Sequence, residues 1–364
     1  MSSHSFLRLS AVSTQLEDNP MSSTTQVANQ LPWNPNNTKF PSQKELPNIP
    51  GAPDGAAWVW GKNDEVGRLN LLTPQRVKAS TAEIETGEMV RLDLPLNVPE
   101  KPAFGREVFQ HSIKTLLEGV VYDDTYSMNT QSGTQWDGFR HFAHIDSKCF
   151  YNGAKGSDFV GETANNRCSI HHLAIHGIAG RGILLDYRHY AKTHNIAYDP
   201  YTTHSITMSE LQACAASQGL DLRPESESGD VRIGDILLIR SGFVERYYEM
   251  SPEQRYAAGA APHEDLCFAG LSREPALRDW LHDCYFAAVA GDSPTFEAWP
   301  VPEHETFLHE SLLPLWGVPI GEMWDLEKLA QKCRARAKWT FFMTSSPANM
   351  PGGVGTHANA TAIL

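Results

Sequence analysis

The chain has 364 residues, 41% of them hydrophobic, and a formal net charge of −13. That apolar fraction is ample for a sizeable core, and the acidic balance, with no Lys/Arg run, argues against nucleic acid as a partner. No run is long enough to span a membrane, and near the N-terminus Phe6-Leu7 and Leu9 are interrupted by Arg8 where a signal peptide needs an apolar core. The expected partner is therefore a small molecule, with no membrane association, and the expected location is the cytoplasm.

Residues 1–45 are rich in Ser, Thr, Asn, Gln and Pro and read as a flexible N-terminal arm, because so few apolar groups cannot offset the entropy of ordering them. From residue 56 to 364 there is no linker, repeat or low-complexity block, so one catalytic domain is the simplest partition. Thr73-Pro74 pairs an N-cap with Pro at the first helical position. Residues 89–94 alternate as a half-buried strand does, whereas 183–186 and 236–240 are short apolar runs that read as buried strands. Helix starts are read at Ser209 and at Ser251-Pro252, small-residue and aromatic strands at 286–289 and 339–343. The apolar spacing of Phe307, Leu308, Leu312 and Leu315 predicts a helix over 305–316, ended by Gly317, with a strand over 318–320 delivering Glu322 beside the sheet. The class is α/β, with spacing too irregular for a simple doubly wound sheet. Six scattered cysteines without a Cys-x-x-Cys read as reduced, mostly buried thiols.

The chemistry concentrates in Gln131-Ser-Gly-Thr-Gln-Trp-Asp137-Gly-Phe-Arg-His141-Phe142. An Asp and a His four residues apart can grip a metal and move a proton; equally, they can form a hydrogen-bonded pair that braces a loop. Trp136 and Phe139 could line a ring-binding pocket or pack in the core. Arg140 could steady an anionic group or pair with an acidic residue. Gly177-Ile-Ala-Gly-Arg-Gly182 precedes an apolar strand rather than opening a helix, the reverse of a phosphate cradle. With no Gly-x-Ser-x-Gly elbow, a serine hydrolase triad has no support.

The 131–142 segment resembles the signature of the metal-dependent cyclase family that includes kynurenine formamidases and isatin hydrolases, His-x-Gly-Thr-His-x-Asp-x-x-x-His. Gly133-Thr134, Asp137 and His141 match; Gln131 and Gln135 stand where the family has its first two histidines. The resemblance extends through Trp60 to Pro74, Gly234 to Gly242, Ala290 to Pro294, His309 to Glu322, and Gly352 to Ala360. It implies a swivelling β/β/α architecture with a central sheet flanked by helices, and a homo-oligomer. It also implies metal ligation by Asp137, His309 and Glu322, with His141 as the acid–base or a further ligand. The His309-to-Glu322 spacing is one residue longer than the family's, which leaves His304 as a substitute. A glutamine amide is a weaker ligand than imidazole and disfavours zinc relative to magnesium or manganese. The expected cofactor is thus one divalent ion (Mn, Mg or Zn), with Gln135 or water completing the shell and Gln131 beside the substrate. N-formylkynurenine turnover is expected to be absent or very weak, since that chemistry in the family uses the two missing imidazoles.

Three functions compete. The first is a metal-dependent hydrolase or cyclase acting on a small cyclic amide, formamide or lactone, with His141 shuttling the proton. The second is a metal-free cyclase or isomerase of a carbonyl-bearing molecule, using Asp137 and His141 as the acid–base pair. The third is a non-catalytic small-molecule-binding protein.

Overall fold

The structure, a computed structural model, describes residues 30–364. Its backbone is a nine-stranded mixed sheet. At the centre four strands run parallel: Ile178–Leu185, Ile236–Ile239, Ala288–Gly291 and Ile320–Glu322. They are largely apolar, apart from Arg181 and Glu322, because helices and loops cover both sides of a parallel sheet. Beyond Ile178–Leu185 the sheet turns antiparallel through Thr340–Ser345, Ala360–Ile363 and Met89–Arg91. Beyond Ile320–Glu322 it adds the short antiparallel strand Gln135–Asp137, which in turn pairs with Gly355–Thr356. This is the expected α/β class, with one central sheet flanked by helices.

Local chemistry explains most helix starts. Thr73 caps Pro74–Ser80 by accepting from the Arg76 amide. Thr207 and Glu210 form a reciprocal capping box on Met208–Ser217, two residues ahead of the expected start at Ser209, and Ser251 with Gln254 does the same for Pro252–Gly259. The helix expected over 305–316 is shorter. It starts at Leu308, and from Ser311–Trp316 it widens to a π-turn, because Pro314 lies inside it and cannot supply the amide a regular turn requires. Gly317 ends it in the left-handed conformation. The following strand is Ile320–Glu322 rather than 318–320, since Pro319 has no N–H for the ladder.

The flexible-arm expectation is corrected where the structure describes that segment, from residue 30 to 45; residues 1–29 lie outside the described residues. Trp33 and Phe40 are buried, and Phe40 stacks on Tyr285 with ring centroids 4.7 Å apart. Arg76 donates to the carbonyls of Pro35 and Asn37, and the Tyr285 hydroxyl to that of Pro41. Two aromatic anchors and these backbone contacts outweigh the polar composition. All six cysteines are free and five are buried. Among the described residues no helix is long and apolar enough to cross a membrane.

Behind the Tyr285 cluster lies a fully buried imidazole. His282 accepts no hydrogen bond at Nε2 and pairs through Nδ1 with Asp283 at 2.8 Å. Burial, reinforced by the Arg68 charge and opposed by Asp283, pulls its pKa down to about 4. The unfolded chain, with an ordinary histidine near ~6.5, binds that proton more readily, so this group's stabilisation is present above about pH 6.5 and is lost as pH falls toward about 4. Thermal melting between pH 7 and pH 4.5 should therefore fall more steeply for the native protein than for His282→Gln. Equal slopes would show that His282 does not govern the acid limb.

Candidate functional site

The site is assembled by strand register. In the pairing of Gln135–Asp137 with Ile320–Glu322, Gln135 lies opposite Glu322 and Asp137 opposite Ile320. Side chains alternate along a strand, so Gln135, Asp137 and Glu322 share one face while Trp136 points to the other. There Trp136 packs edge-on to Trp324 at 4.9 Å and its indole N–H donates to Ser345. The Gly133-Thr134 step enters this strand, and the Thr134 hydroxyl ties it to its neighbours by donating to the Met323 carbonyl and accepting from the Leu94 amide. After Asp137 the chain turns at once: the His141 amide donates to the Gly138 carbonyl, which brings His141 back over the carboxylate. Gly138 is required here, because a Cβ would stand 2.6 Å from the Val354 carbonyl oxygen.

The structure brings Asp137, His141, His309 and Glu322 together. His309 Nε2 lies 3.5 Å from Asp137 and 3.2 Å from Glu322, and His141 Nε2 lies 4.0 Å from Asp137. One ligand atom each from Asp137, His141 and His309 falls within 4.8 Å of the others, a separation that one ion could bridge. The glutamines are bound into the same cluster. Gln135 Nε2 donates to Gln131 Oε1 at 2.7 Å and to Glu322 Oε2 at 2.9 Å. Glu322 also accepts the Phe296 amide. His304, by contrast, is exposed on the turn before Leu308 and stands outside the cluster.

For Trp136, Phe139 and Arg140 the structure shows packing roles. Trp136 and Phe139 are completely buried, Phe139 against Tyr151 at 4.7 Å, so both are core residues. Among the described residues Arg140 has no carboxylate within hydrogen-bond distance. It donates to the carbonyls of Asn165, Arg167 and Gly352 and lies over the Phe159 ring, clamping three loops. Gln131 remains at the site. His144 braces its own turn through Ser147 and lies 3.6 Å from Glu310.

Two further groups at the site carry no signal in the sequence. Glu297, completely buried, accepts from His309 Nδ1 at 2.8 Å, which directs the opposite nitrogen toward Asp137 and Glu322. It sits in an aromatic loop with no periodicity or motif. Arg106 donates to the Gln131 carbonyl at 2.6 Å, and its charge reaches Glu322 and Asp137. Its Pro- and Gly-flanked segment is equally featureless.

The electrostatics follow from burying acids beside imidazoles. Burial acts to raise the Asp137 carboxyl, but His141 and His309 more than offset it and hold it below the usual range. Burial and the neighbouring Asp137 charge push Glu322 up to about 7. Burial would lower His309, yet Glu297, Asp137 and Glu322 hold it well above an ordinary histidine. Burial lowers His141, opposed by Asp137, so its imidazole is neutral near pH 7 and able to accept a proton. Two buried carboxylates, Asp137 and Glu297, thus face the His309 imidazolium, with the Glu322 carboxyl titrating near neutrality beside them.

Residues 90–298 match the family described as "Putative cyclase". The chain belongs to the cyclase family. Among solved structures it is similar to a novel cyclase, with 27% identity and a TM-score of 0.72 over 85% of this chain and 99% of that one. Isatin hydrolase A from Labrenzia aggregata, bound to benzyl benzoate, shares the fold at 16% identity and a TM-score of 0.50, over 76% of this chain and 93% of that one. An isatin hydrolase bound to the product analogue thioisatinate shares it at 13% identity and a TM-score of 0.51, over 80% and 97%. No curated protein matches the sequence. Family membership makes this an enzyme of the cyclase/hydrolase kind, with the swivelling cyclase architecture that the signature implied.

Replacing Glu297 by Leu would strip the partner from the buried His309 Nδ1–H and amide, and should cost about 1–3 kcal/mol in urea unfolding. Glu297→Gln, which can still accept from His309, should lose much less. Equal losses would mean that Glu297 contributes shape and not the hydrogen bond.

Proposed function

We propose that the protein is a hydrolase or ring-forming cyclase with one divalent metal ion, acting on a small cyclic amide, formamide or lactone. The observation that carries this reading is Asp137. Its carboxylate is fully buried, yet neither oxygen has a hydrogen-bond partner, while two imidazoles approach it. Burying a carboxylate without close hydrogen bonds is costly; His309 and His141, at 3.5 and 4.0 Å, offset that cost, and a bound cation would offset it more directly. The orphaned Gln135 Oε1 adds a further neutral donor to the same cluster. Asp137 and His309, the latter once its Nε2 proton has left, would hold the ion, with Glu322, Gln135 or His141 completing the shell, and the acids gathered around them suit a divalent ion. The remaining amide hydrogens of Gln135 are spent on Gln131 and Glu322, which supports one ion rather than two.

When bound, such an ion supplies Lewis-acid polarisation of a carbonyl and acidification of water. The protein's own groups do the rest. His141, at the rim with its side chain 23% exposed, is the one imidazole of the cluster that a substrate can reach readily. Neutral near pH 7, it takes the proton from the attacking oxygen and returns it to the departing nitrogen or oxygen. Asp137, 4.0 Å away, stabilises the imidazolium formed in between. Glu297 keeps His309 from swinging into the reaction path. Hydrolysis and ring closure use the same groups in opposite senses, and the isatin ring system of the structural relatives is the first substrate to test.

Elemental analysis of the purified protein should find close to one divalent metal per chain. Asp137→Asn should remove it, and chelation should abolish turnover that metal restores. Metal-free protein with full activity would leave the Asp137–His141 pair acting alone as acid and base. His141→Gln should lower turnover by roughly 10²–10⁴-fold with melting temperature largely retained. His144→Gln, whose ring braces a turn, should cost far less. Activity losses that merely track melting temperature in both variants would assign His141 to bracing.

A further inference from the structure

Cys149 and Lys155 stand at the two ends of one tight loop. The Phe150 amide donates to the Ala154 carbonyl at 2.9 Å and closes its neck, and inside it the chain turns through Asn152 and Gly153, both with positive φ. The Asn152 side chain donates to the carbonyls of Gly61, Lys62 and Asp64, and the buried Tyr151 donates its hydroxyl to the Asp64 carboxylate, so the loop is fastened to the body. The Cys149 carbonyl accepts from the His144 amide at 2.8 Å, which ties the neck to the turn that follows His141. This scaffold sets two side chains face to face: Lys155 Nζ lies 2.7 Å from Cys149 Sγ. That is shorter than an ordinary N–H···O bond of about 2.9 Å, although sulfur is the larger atom. The thiols of Cys168, Cys214 and Cys284 behave otherwise. They donate to oxygens of Tyr151, Gln218 and Leu222, and burial pushes all three up. Burial acts to raise the Cys149 thiol too, but Lys155 and Ser147 more than offset it and hold it below its usual range. A thiol so placed carries more of the thiolate, the form that peroxides oxidise. Residues 145–148 and 155–157 on either side are exposed, so a small oxidant has a short way to the sulfur.

We propose that Cys149 and Lys155 form an oxidative modification site, at which hydrogen peroxide joins Sγ to Nζ in a reversible sulfenamide. The thiolate attacks the peroxide: an S–O bond forms, the O–O bond breaks, and the leaving hydroxide takes up a proton to become water. Sulfur, oxidised by two electrons, is then a sulfenic acid, and the peroxide has been reduced. The Lys155 amine, its extra proton released to water, attacks that sulfur. The S–N bond forms as the S–O bond breaks, and the oxygen departs as a second water with the proton displaced from nitrogen. Sulfenic acids condense in this way with a nitrogen close at hand, and here the fold already holds the nitrogen in contact, which favours condensation over a second oxidation to the sulfinic acid. A thiol reductant reverses the link: it attacks sulfur, returns the amine and the thiol, and is itself oxidised to a disulfide. The link would close the loop's neck covalently, beside the turn that follows His141.

The inference is independent of the metal reading, since its test follows covalent mass and not turnover. Trypsin cuts after Lys148 and Lys155, so it releases residues 149–155 from the reduced full chain. After brief exposure of the folded protein to hydrogen peroxide the cut at Lys155 should vanish, and residues 149–167 should appear as one peptide lighter by two hydrogens. Dithiothreitol should restore the 149–155 peptide. Cys149→Ser should abolish the link. Lys155→Arg, which keeps the charge and removes the amine, should leave Cys149 as a sulfenic acid that dimedone traps. Should either variant misfold, the unaltered chain treated with peroxide in urea provides a second measurement, and there the link should be absent because the fold no longer imposes the contact. Folded protein whose Cys149 is trapped by dimedone while Lys155 is still cut overturns the proposal, as does a peptide mass that peroxide leaves unchanged. An oxygen retained in the linked peptide overturns the direct S–N bond, and an equal yield in urea overturns the role of the fold.

Discussion

The pairing of Gln135–Asp137 with Ile320–Glu322 is the constraint on which the site depends. It adds an antiparallel strand to the end of a parallel array and brings residues 187 positions apart in sequence, Gln135 and Glu322, within hydrogen-bond distance. Because side chains alternate, a slip of one residue would turn Gln135 and Asp137 into the core and Trp136 into the site. The register is held from both sides. Trp136 is buried against Trp324, whose indole N–H donates to the Gln135 carbonyl, and Thr134 is bonded to both neighbouring chain segments. Gly321 lets Trp324 lie close, since a Cβ there would approach its indole nitrogen to 2.5 Å.

Upon that frame the cluster is an electrostatic compromise. Burying Asp137, Glu297 and Glu322 together is unfavourable unless positive charge is supplied, and His309, held by Glu297, supplies one unit. On the proposed reading, the remaining imbalance is what would favour a cation there. The two glutamines alter this compromise in a specific way. Amides can join carboxylates by donating hydrogen bonds where imidazoles would join them through metal, so Gln135 fixes Glu322 without adding charge. On the proposed reading, this keeps the cluster together while lowering its capacity for ions.

The antiparallel ribbon between Arg106 and Gln131, Gln110–Leu117 paired with Val121–Ser127, connects the outside of the molecule to this centre. It enters and leaves beside groups that touch the cluster, so anything that orders it also steadies the segment presenting Gln131.

Much of this was legible in the linear sequence. Asp137 and His141 stand out because their partnership is local: four residues and one glycine turn set their geometry. Helix starts at Thr73 and Ser251 were equally readable, since a cap is an interaction among neighbours. The α/β class followed from apolar runs, and His309 and Glu322 from resemblance to a signature. What the sequence could not decide was anything set by contacts remote along the chain. Trp33 and Phe40 look like parts of a polar tail until Tyr285 is placed against them. Arg140, open between an anionic group and an acidic partner, is held instead by three loop carbonyls, and the partners that bury Trp136 and Phe139, Trp324 and Tyr151, lie elsewhere along the chain. Glu297 and Arg106 have no local pattern at all, because one orients an imidazole twelve residues away and the other fixes a carbonyl across the ribbon's root. Local backbone chemistry was encoded where it acts; burial and charge balance arose only when the sheet closed.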